Sequence, residues 1–339
     1  MNSTLQNKLI STVKKFTPIV AFAVPLLILY HLYPASFNMT WKGRTYYLFF
    51  IWLLVMETIL NWEALEVKWR GKSFKTLILS VVLALPTVYV VIANYAGFND
   101  SIVNFAINHG VYPDNVWLMP LAIEYLTFTI LLALVVVTEH EIETLTKYSL
   151  SIFFLGTIGL VYLVDNLYPF GRFIPFQIIV PTTSQLAANV LNTMGFKTSL
   201  SSGIDPAYGL ITTLKVYNAQ NVLLARFGVA WPCAGVDSLL LYSIVTLLFL
   251  REFVPSLKAK LAYFFIGAAV TYFINVLRIV SIFLVAINGG DWRRFHDYYG
   301  PLYSVVWIIS YLLIITGIQL IWRVIKNRFY KLVSANFNF

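Results

Sequence analysis

Long runs of apolar residues alternate with short polar segments along almost the whole chain. A helix needs about 20 predominantly apolar residues to cross a bilayer. Eight runs approach this length, and they occupy residues 16–35, 45–62, 76–95, 116–138, 148–165, 234–250, 261–288 and 301–322. The pattern therefore predicts an all-α polytopic membrane protein with about eight transmembrane helices.

One polar interval, residues 166–232, is much longer than the others. Within it, the amphipathic residues 176–194 predict a short helix at the membrane surface. Two strand-like runs, Leu210–Tyr217 and Val222–Trp231, are separated by four residues and predict a β-hairpin. We therefore expect residues 1–339 to form a single membrane domain that carries this helix and hairpin as an insertion, arranged as a lid or a substrate groove.

Composition and charge agree with this class. The chain is 59% hydrophobic and 12% charged, with a mean hydropathy of +0.76, whereas a soluble domain has about 25% charged residues. With the N-terminus inside, 15 Lys and Arg residues lie on the inner side and 8 on the outer side. This distribution predicts a multi-pass plasma-membrane protein with cytoplasmic termini and an external insertion. The net charge of +9 is therefore explained by topology and does not indicate that the protein binds nucleic acid.

Cys233 is the only cysteine of the chain, and it lies where the insertion leads into the next apolar run. Pro232 and Gly235 interrupt regular structure, while Asp237 and Ser238 favour a first helical turn. The N–H groups and positive dipole of a helix start lower a thiol pKa and favour the thiolate. Taken alone, Cys233 is better explained as a small buried apolar residue, since free cysteines are usually buried, and the rest of the chain reverses this preference.

Arg278 lies within the following apolar run, where a charge is costly and usually functional. It forms a polar stripe with Asn275 and Ser281, since the three recur at every third residue. Helical rise puts Arg278 near the outer boundary, at the depth of Cys233, and His296 precedes the last run on the same side. A thiolate nucleophile, a histidine for the protons and a stabilising arginine permit acyl transfer.

Glu124 and Asp165 are predicted to lie in the outer half of the membrane, where either could hold Arg278 or bind a substrate amine. Two other classes of function stay open. A transporter or channel would use Arg278, Glu124 and Asp165 to line a pathway, but toward the cytoplasm only Glu57 would continue it. A membrane scaffold would leave the buried charge and the lone thiol unexplained. The sequence contains no motif for a metal or a cofactor, and we expect neither.

Three motifs together resemble the exosortases and archaeosortases, which are polytopic cysteine transpeptidases. They are Cys233-Ala-Gly-Val-Asp-Ser238 at the start of one span, Asn275-Val-Leu-Arg278-Ile in the next, and His296 before the last. The resemblance covers roughly residues 160–320, with the catalytic motifs within 227–300. It implies that Cys233 is the nucleophile, Arg278 the stabilising cation and His296 the acid–base.

The resemblance also implies the substrates. They are secreted proteins whose C-terminal tail has a short motif, a transmembrane helix and a basic cluster. The enzyme would cut this tail at the outer membrane face through a Cys233 thioester. The product would pass to an amine, such as a lipid headgroup, or to water.

Two departures from the family pattern affect the site. Ala234 stands where the bacterial branch commonly has Ser, which together with the lack of other cysteines favours an archaeal member. In some archaeal members a second arginine replaces the histidine, and here Arg293 and Arg294 lie beside His296. The third catalytic residue is thus His296 or one of these arginines. Asn275 and Ser238, within the motifs, are further candidates for catalysis or substrate binding.

Overall fold

The computed structural model describes residues 15–39, 42–63, 65, 73–111, 113–139, 142–168, 172–205 and 209–336. Most of the basic segment before the first apolar run, with Lys8 and Lys14, and most of the basic loop between the second and third runs lie outside the described residues.

Each predicted apolar run forms a helix, and shorter helices join them. The helices of the described residues are α1 (Thr17–Leu32), α2 (Thr45–Leu60), α3 (Ser73–Tyr95), α4 (Phe98–Asn108), α5 (Met119–Glu139), α6 (Ser149–Leu167), α7 (Ile174–Gln177), α8 (Val180–Thr193), α9 (Val236–Phe253), α10 (Leu257–Ile287), α11 (Trp292–Arg294) and α12 (Gly300–Asn336). A π-helical turn, Phe295–Tyr299, connects α11 to α12.

Among the described residues, five helical segments are long and apolar enough to cross a membrane. They are Leu77–Tyr95, Val116–Glu139, Ile142–Leu167, Leu257–Ile287 and Trp292–Trp322. The remaining predicted spans correspond to α1, α2 and α9, which have 16, 16 and 18 residues. A 16-residue helix is only about 24 Å long, less than the roughly 30 Å of hydrocarbon. The helices confirm a polytopic membrane protein but do not support the count of eight spans.

The helices pack into one bundle. α5 runs along α6, and α6 also contacts α2 and α9. On the other side of α9, α10 packs against α8, α9 and α12. Many large apolar side chains on the outer faces of these helices are exposed, as expected for surfaces that contact lipid. The elements that carry the sequence motifs, α9, α10 and α12, are therefore direct neighbours.

The insertion contains a three-stranded antiparallel sheet in the order β1 (Lys197–Asp205), β2 (Gly209–Tyr217) and β3 (Leu223–Val229). The predicted hairpin corresponds to β2 and β3, and the predicted surface helix corresponds to α8. Strand β1 was not predicted, because it is rich in Ser and largely exposed, and so lacks an alternation of apolar residues. The sheet rests on α8 through β1 and β2, while β3 contacts α10.

Candidate active site

Cys233 lies in a turn that a glycine makes possible. Gly235 has a positive φ of +88° and directly precedes α9. A Cβ atom at this position would lie 2.3 Å from Cγ of Asn275, on α10. Only glycine tolerates both the positive φ and the close approach of Asn275. The glycine of the Cys-Ala-Gly sequence therefore sets the position of the thiol relative to the start of α9.

The thiol of Cys233 contacts the imidazole of His296. Sγ lies 3.2 Å from Nε2, and both side chains are partly buried. On the other side of the ring, Nδ1 lies 2.8 Å from Oδ1 of Asp297. His296 and Asp297 belong to the π-helical turn, a geometry often found at functional sites. The three side chains thus form a Cys–His–Asp sequence of contacts, of which Asp297 was not predicted.

The surroundings of Cys233 favour the thiolate. Burial raises the pKa of the thiol, and the charge of Asp237 acts in the same direction. The interactions with His296 and the charge of Arg278 oppose them and are stronger together, so the pKa of Cys233 lies below its usual value. The site therefore activates its nucleophile mainly through the histidine, with the arginine as a second source of positive charge.

Arg278 is buried, with 3% of its surface exposed. Its Nε and Nη1 atoms have no hydrogen-bond partner among the described residues. The guanidinium packs against the first residue of α12, since a Cβ on Gly300 would lie 2.5 Å from Nε. A buried guanidinium with unused donors is suited to receive a negatively charged oxygen.

The other two motif residues make contacts behind the thiol. Asn275 is fully buried below Gly235, and its Nδ2 donates to the carbonyl of Thr271 at 2.9 Å. Ser238 donates from Oγ to Oγ of Ser304 at 2.9 Å, which joins α9 to α12. Ser238 thus joins α9 to α12, whereas Asn275 packs against the turn that carries Cys233.

The two arginines beside His296 are exposed and make other contacts. The guanidinium of Arg293 lies over the ring of Trp292, 5.4 Å from its centroid. The backbone N–H of Arg294 donates to the carboxylate of Asp291 at 3.0 Å. Of the three candidates for the third catalytic role, only His296 forms a hydrogen bond with the thiol in the described part of the chain.

Glu124 and Asp165 bind cations other than Arg278, so of the two options for these carboxylates the structure shows neither acid holding Arg278 among the described residues. Arg44 donates to Glu124 through Nε at 2.8 Å and Nη2 at 2.7 Å. Lys42 forms an ion pair of 2.5 Å with Asp165. The hydropathy pattern placed both basic residues in an outer loop, but it gave no sign that this loop folds back onto α5 and α6.

An apolar cavity of about 250 Å³ opens beside the thiol. Cys233 and His296 are its polar lining residues. The remaining lining residues come from β3, α10 and α11, and they are Phe227, Gly228, Val229, Ile279, Ile282, Phe283 and Trp292. A group bound in this cavity would lie next to the sulfur.

A multi-pass membrane protein with a thiol against an imidazole has the groups that cysteine proteases and transpeptidases use. The chain matches the family model of the transmembrane exosortases over residues 41–316, and it belongs to this family. It is therefore a membrane-embedded protein of the protease and transpeptidase class. No curated protein and no solved structure matches it.

Proposed function

We propose that this protein is a cysteine transpeptidase that cuts the C-terminal sorting tails of secreted proteins at the outer membrane face. The observation that carries the proposal is the 3.2 Å contact between Cys233 Sγ and His296 Nε2. A thiolate beside an imidazolium is an activated nucleophile with its proton donor in place. The family assignment supplies the reaction class, and the sorting-tail substrate rests on the family resemblance.

In the first half-reaction, the Cys233 thiolate attacks the scissile carbonyl carbon and a C–S bond forms. The carbonyl oxygen becomes an oxyanion, to which the unused N–H donors of Arg278 can donate. The imidazolium of His296 gives its Nε2 proton to the leaving nitrogen as the C–N bond breaks. Asp297 holds Nδ1–H and keeps the ring in the orientation that this transfer needs. A thioester on Cys233 and a released tail remain.

In the second half-reaction, an acceptor amine or water attacks the thioester carbonyl. The acceptor loses its proton to Nε2 of His296, the C–S bond breaks, and the thiolate is restored. An amine of a lipid headgroup is the acceptor that fits a site at the membrane boundary, and water would give simple hydrolysis. Both routes leave the enzyme in its initial protonation state.

His296 is the acid–base of this scheme. Both half-reactions need a group that releases a proton and takes it back, which an imidazole does near neutral pH. Arg293 and Arg294 stay protonated, so they can only polarise or neutralise. Their exposure and their contacts with Trp292 and Asp291 support the same assignment.

The topology of the proposal has both termini in the cytoplasm and the site outside, following the distribution of Lys and Arg. This arrangement requires α1, α2 and α9 to cross the bilayer together with the five longer spans, and they pack within the same bundle. The transporter alternative loses support, since Arg44 and Lys42 already neutralise Glu124 and Asp165.

A cleavage assay tests the assignment of His296. The probe is a secreted protein of the same genome that ends in a short motif, an apolar span and a basic cluster, incubated with the enzyme in vesicles. General acid–base catalysis contributes about 10²–10⁴-fold, so we expect His296→Ala to lose activity by that order. Arg293→Ala and Arg294→Ala are matched controls that should cleave at nearly the wild-type rate. Normal cleavage by His296→Ala, with an inactive arginine variant, would overturn the assignment.

A further inference from the structure

β3 is an edge strand that leads directly to the candidate nucleophile. Its order in the sheet leaves β2 as its only neighbouring strand, and in the described part of the chain the sheet hydrogen bonds of β3 run to β2 alone. Cys233 follows the last residue of the strand, Val229, by four positions. An edge strand presents unpaired N–H and C=O groups that a further strand can use.

The backbone of β3 also forms a wall of the apolar cavity. Gly228 lines the cavity and is exposed, and because it has no side chain, its main chain is the lining surface. Ligand pockets for drug-sized molecules measure about 300–1,000 Å³. A cavity of about 250 Å³ is therefore suited to one or two side chains of a peptide and not to a larger group.

We propose that the substrate segment with the scissile bond pairs with the free edge of β3 as a fourth strand. An apolar side chain of this segment then enters the cavity beside Cys233. Main-chain hydrogen bonds supply affinity in such strand addition, and pockets for alternate side chains supply specificity. The occupant is a peptide because Cys233, which lines the cavity, attacks a peptide carbonyl carbon in the proposed reaction. This inference rests on the proposed function.

Disulfide trapping tests the pairing, because Cys233 is the only cysteine. Cys233→Ala removes it, and Gly228→Cys places a thiol on the β3 edge. Single cysteines are then introduced one at a time into the tail-bearing protein around the cut, which is located by mass spectrometry of the wild-type product. Ser201→Cys is the matched control, since Ser201, Thr213 and Gly228 form one row across the sheet. It lies on the opposite edge, about 10 Å away at the usual strand spacing.

We expect Gly228→Cys to form disulfides at alternate substrate positions only, because a strand presents every second side chain to one face. Ser201→Cys should form none. Arg226→Cys with the control Ser199→Cys repeats the test two rows away, on the same face of the sheet, since both residues pair with Lys215.

Equal trapping at both edges, trapping at every third or fourth position, or none at Gly228→Cys and Arg226→Cys would refute the strand pairing. These outcomes refute the strand pairing only when the wild-type enzyme cleaves the same tail-bearing protein. If the wild type does not cleave it, the proposed function fails instead.

Discussion

The contact between Cys233 and His296 controls the charge of the thiol. Since the pKa of Cys233 is lowered by the histidine and Arg278 against the effect of burial, more thiolate is present at a given pH than in a free cysteine. We expect the rate of alkylation by iodoacetamide to rise with pH around a midpoint below about 8.5, the ordinary thiol value.

The His296→Ala variant should move this midpoint to higher pH, because the largest interaction that favours the thiolate is then lost. Cys233 is the only thiol of the chain, so the labelled mass reports this site alone. Identical midpoints in the two proteins would contradict the thiolate–imidazolium pair.

Arg278 supplies directed donors as well as charge. Its Nε and Nη1 atoms are buried and have no partner among the described residues, so N–H donors of the planar, forked guanidinium remain for an oxyanion. Arg278→Lys keeps the charge and loses the fork. We expect a loss of about 10²–10³-fold in turnover, the effect of removing one oxyanion donor, with normal amounts of protein in the membrane. Near-normal turnover in tail cleavage would show that a point charge is sufficient.

At the scale of elements, the start of α12 sets the place of the guanidinium. Any side chain at Gly300 would occupy the space of Arg278 Nε. Gly300 has a helical backbone with φ of −55°, so alanine fits the main chain and disturbs only the packing. We expect Gly300→Ala to displace Arg278 and reduce tail cleavage, while the melting temperature in detergent changes little.

Gly317→Ala is the control, because it lies in the same helix and a Cβ there meets no atom within 4 Å. Alanine is better than glycine within a helix by up to about 1 kcal/mol, so this variant should be at least as stable and fully active. Equal activity of both alanine variants would show that the position of Arg278 is not set by Gly300.

The elements of the site differ in how well sequence predicted them. Gly235 and Asn275 stood in recognisable motifs, and the structure packs the two residues directly against each other. Strand β1 is polar and exposed, so no periodic pattern marked it. Asp297 follows His296 directly in the sequence, but an acidic neighbour of a histidine is common and does not by itself predict a contact. The contact of its carboxylate with Nδ1 depends on the π-helical turn.

At the scale of the whole molecule, hydropathy was sufficient for the class of fold because a bilayer requires long apolar helices. It was not sufficient for the number of spans, since α1 and α2 are apolar but short. The ion pair of Arg44 with Glu124 joins residues 80 positions apart. Such pairs depend on how the loop folds back onto the bundle, and neither charge pattern nor spacing contains this information.

The orientation of the molecule can be tested through its single thiol. The distribution of Lys and Arg predicts that Cys233 and the sheet lie outside and that the segment Ile142–Tyr148 lies inside. We expect a membrane-impermeant maleimide to label Cys233 on intact cells. Cys233 is partly buried, which slows its labelling. Cys233→Ala with Ser199→Cys, on exposed β1, therefore gives a second outer position.

The matched inner position is Cys233→Ala with Thr146→Cys, since Thr146 is exposed at the other end of the bundle. Ser199→Cys should react on intact cells as fast as after permeabilisation, whereas Thr146→Cys should react only after permeabilisation. The reverse pattern, with Thr146→Cys labelled on intact cells and both Cys233 and Ser199→Cys protected, would place the thiol in the cytoplasm. A nucleophile on that side could not reach secreted tails, so this result would refute both the proposed topology and the proposed cleavage at the outer face.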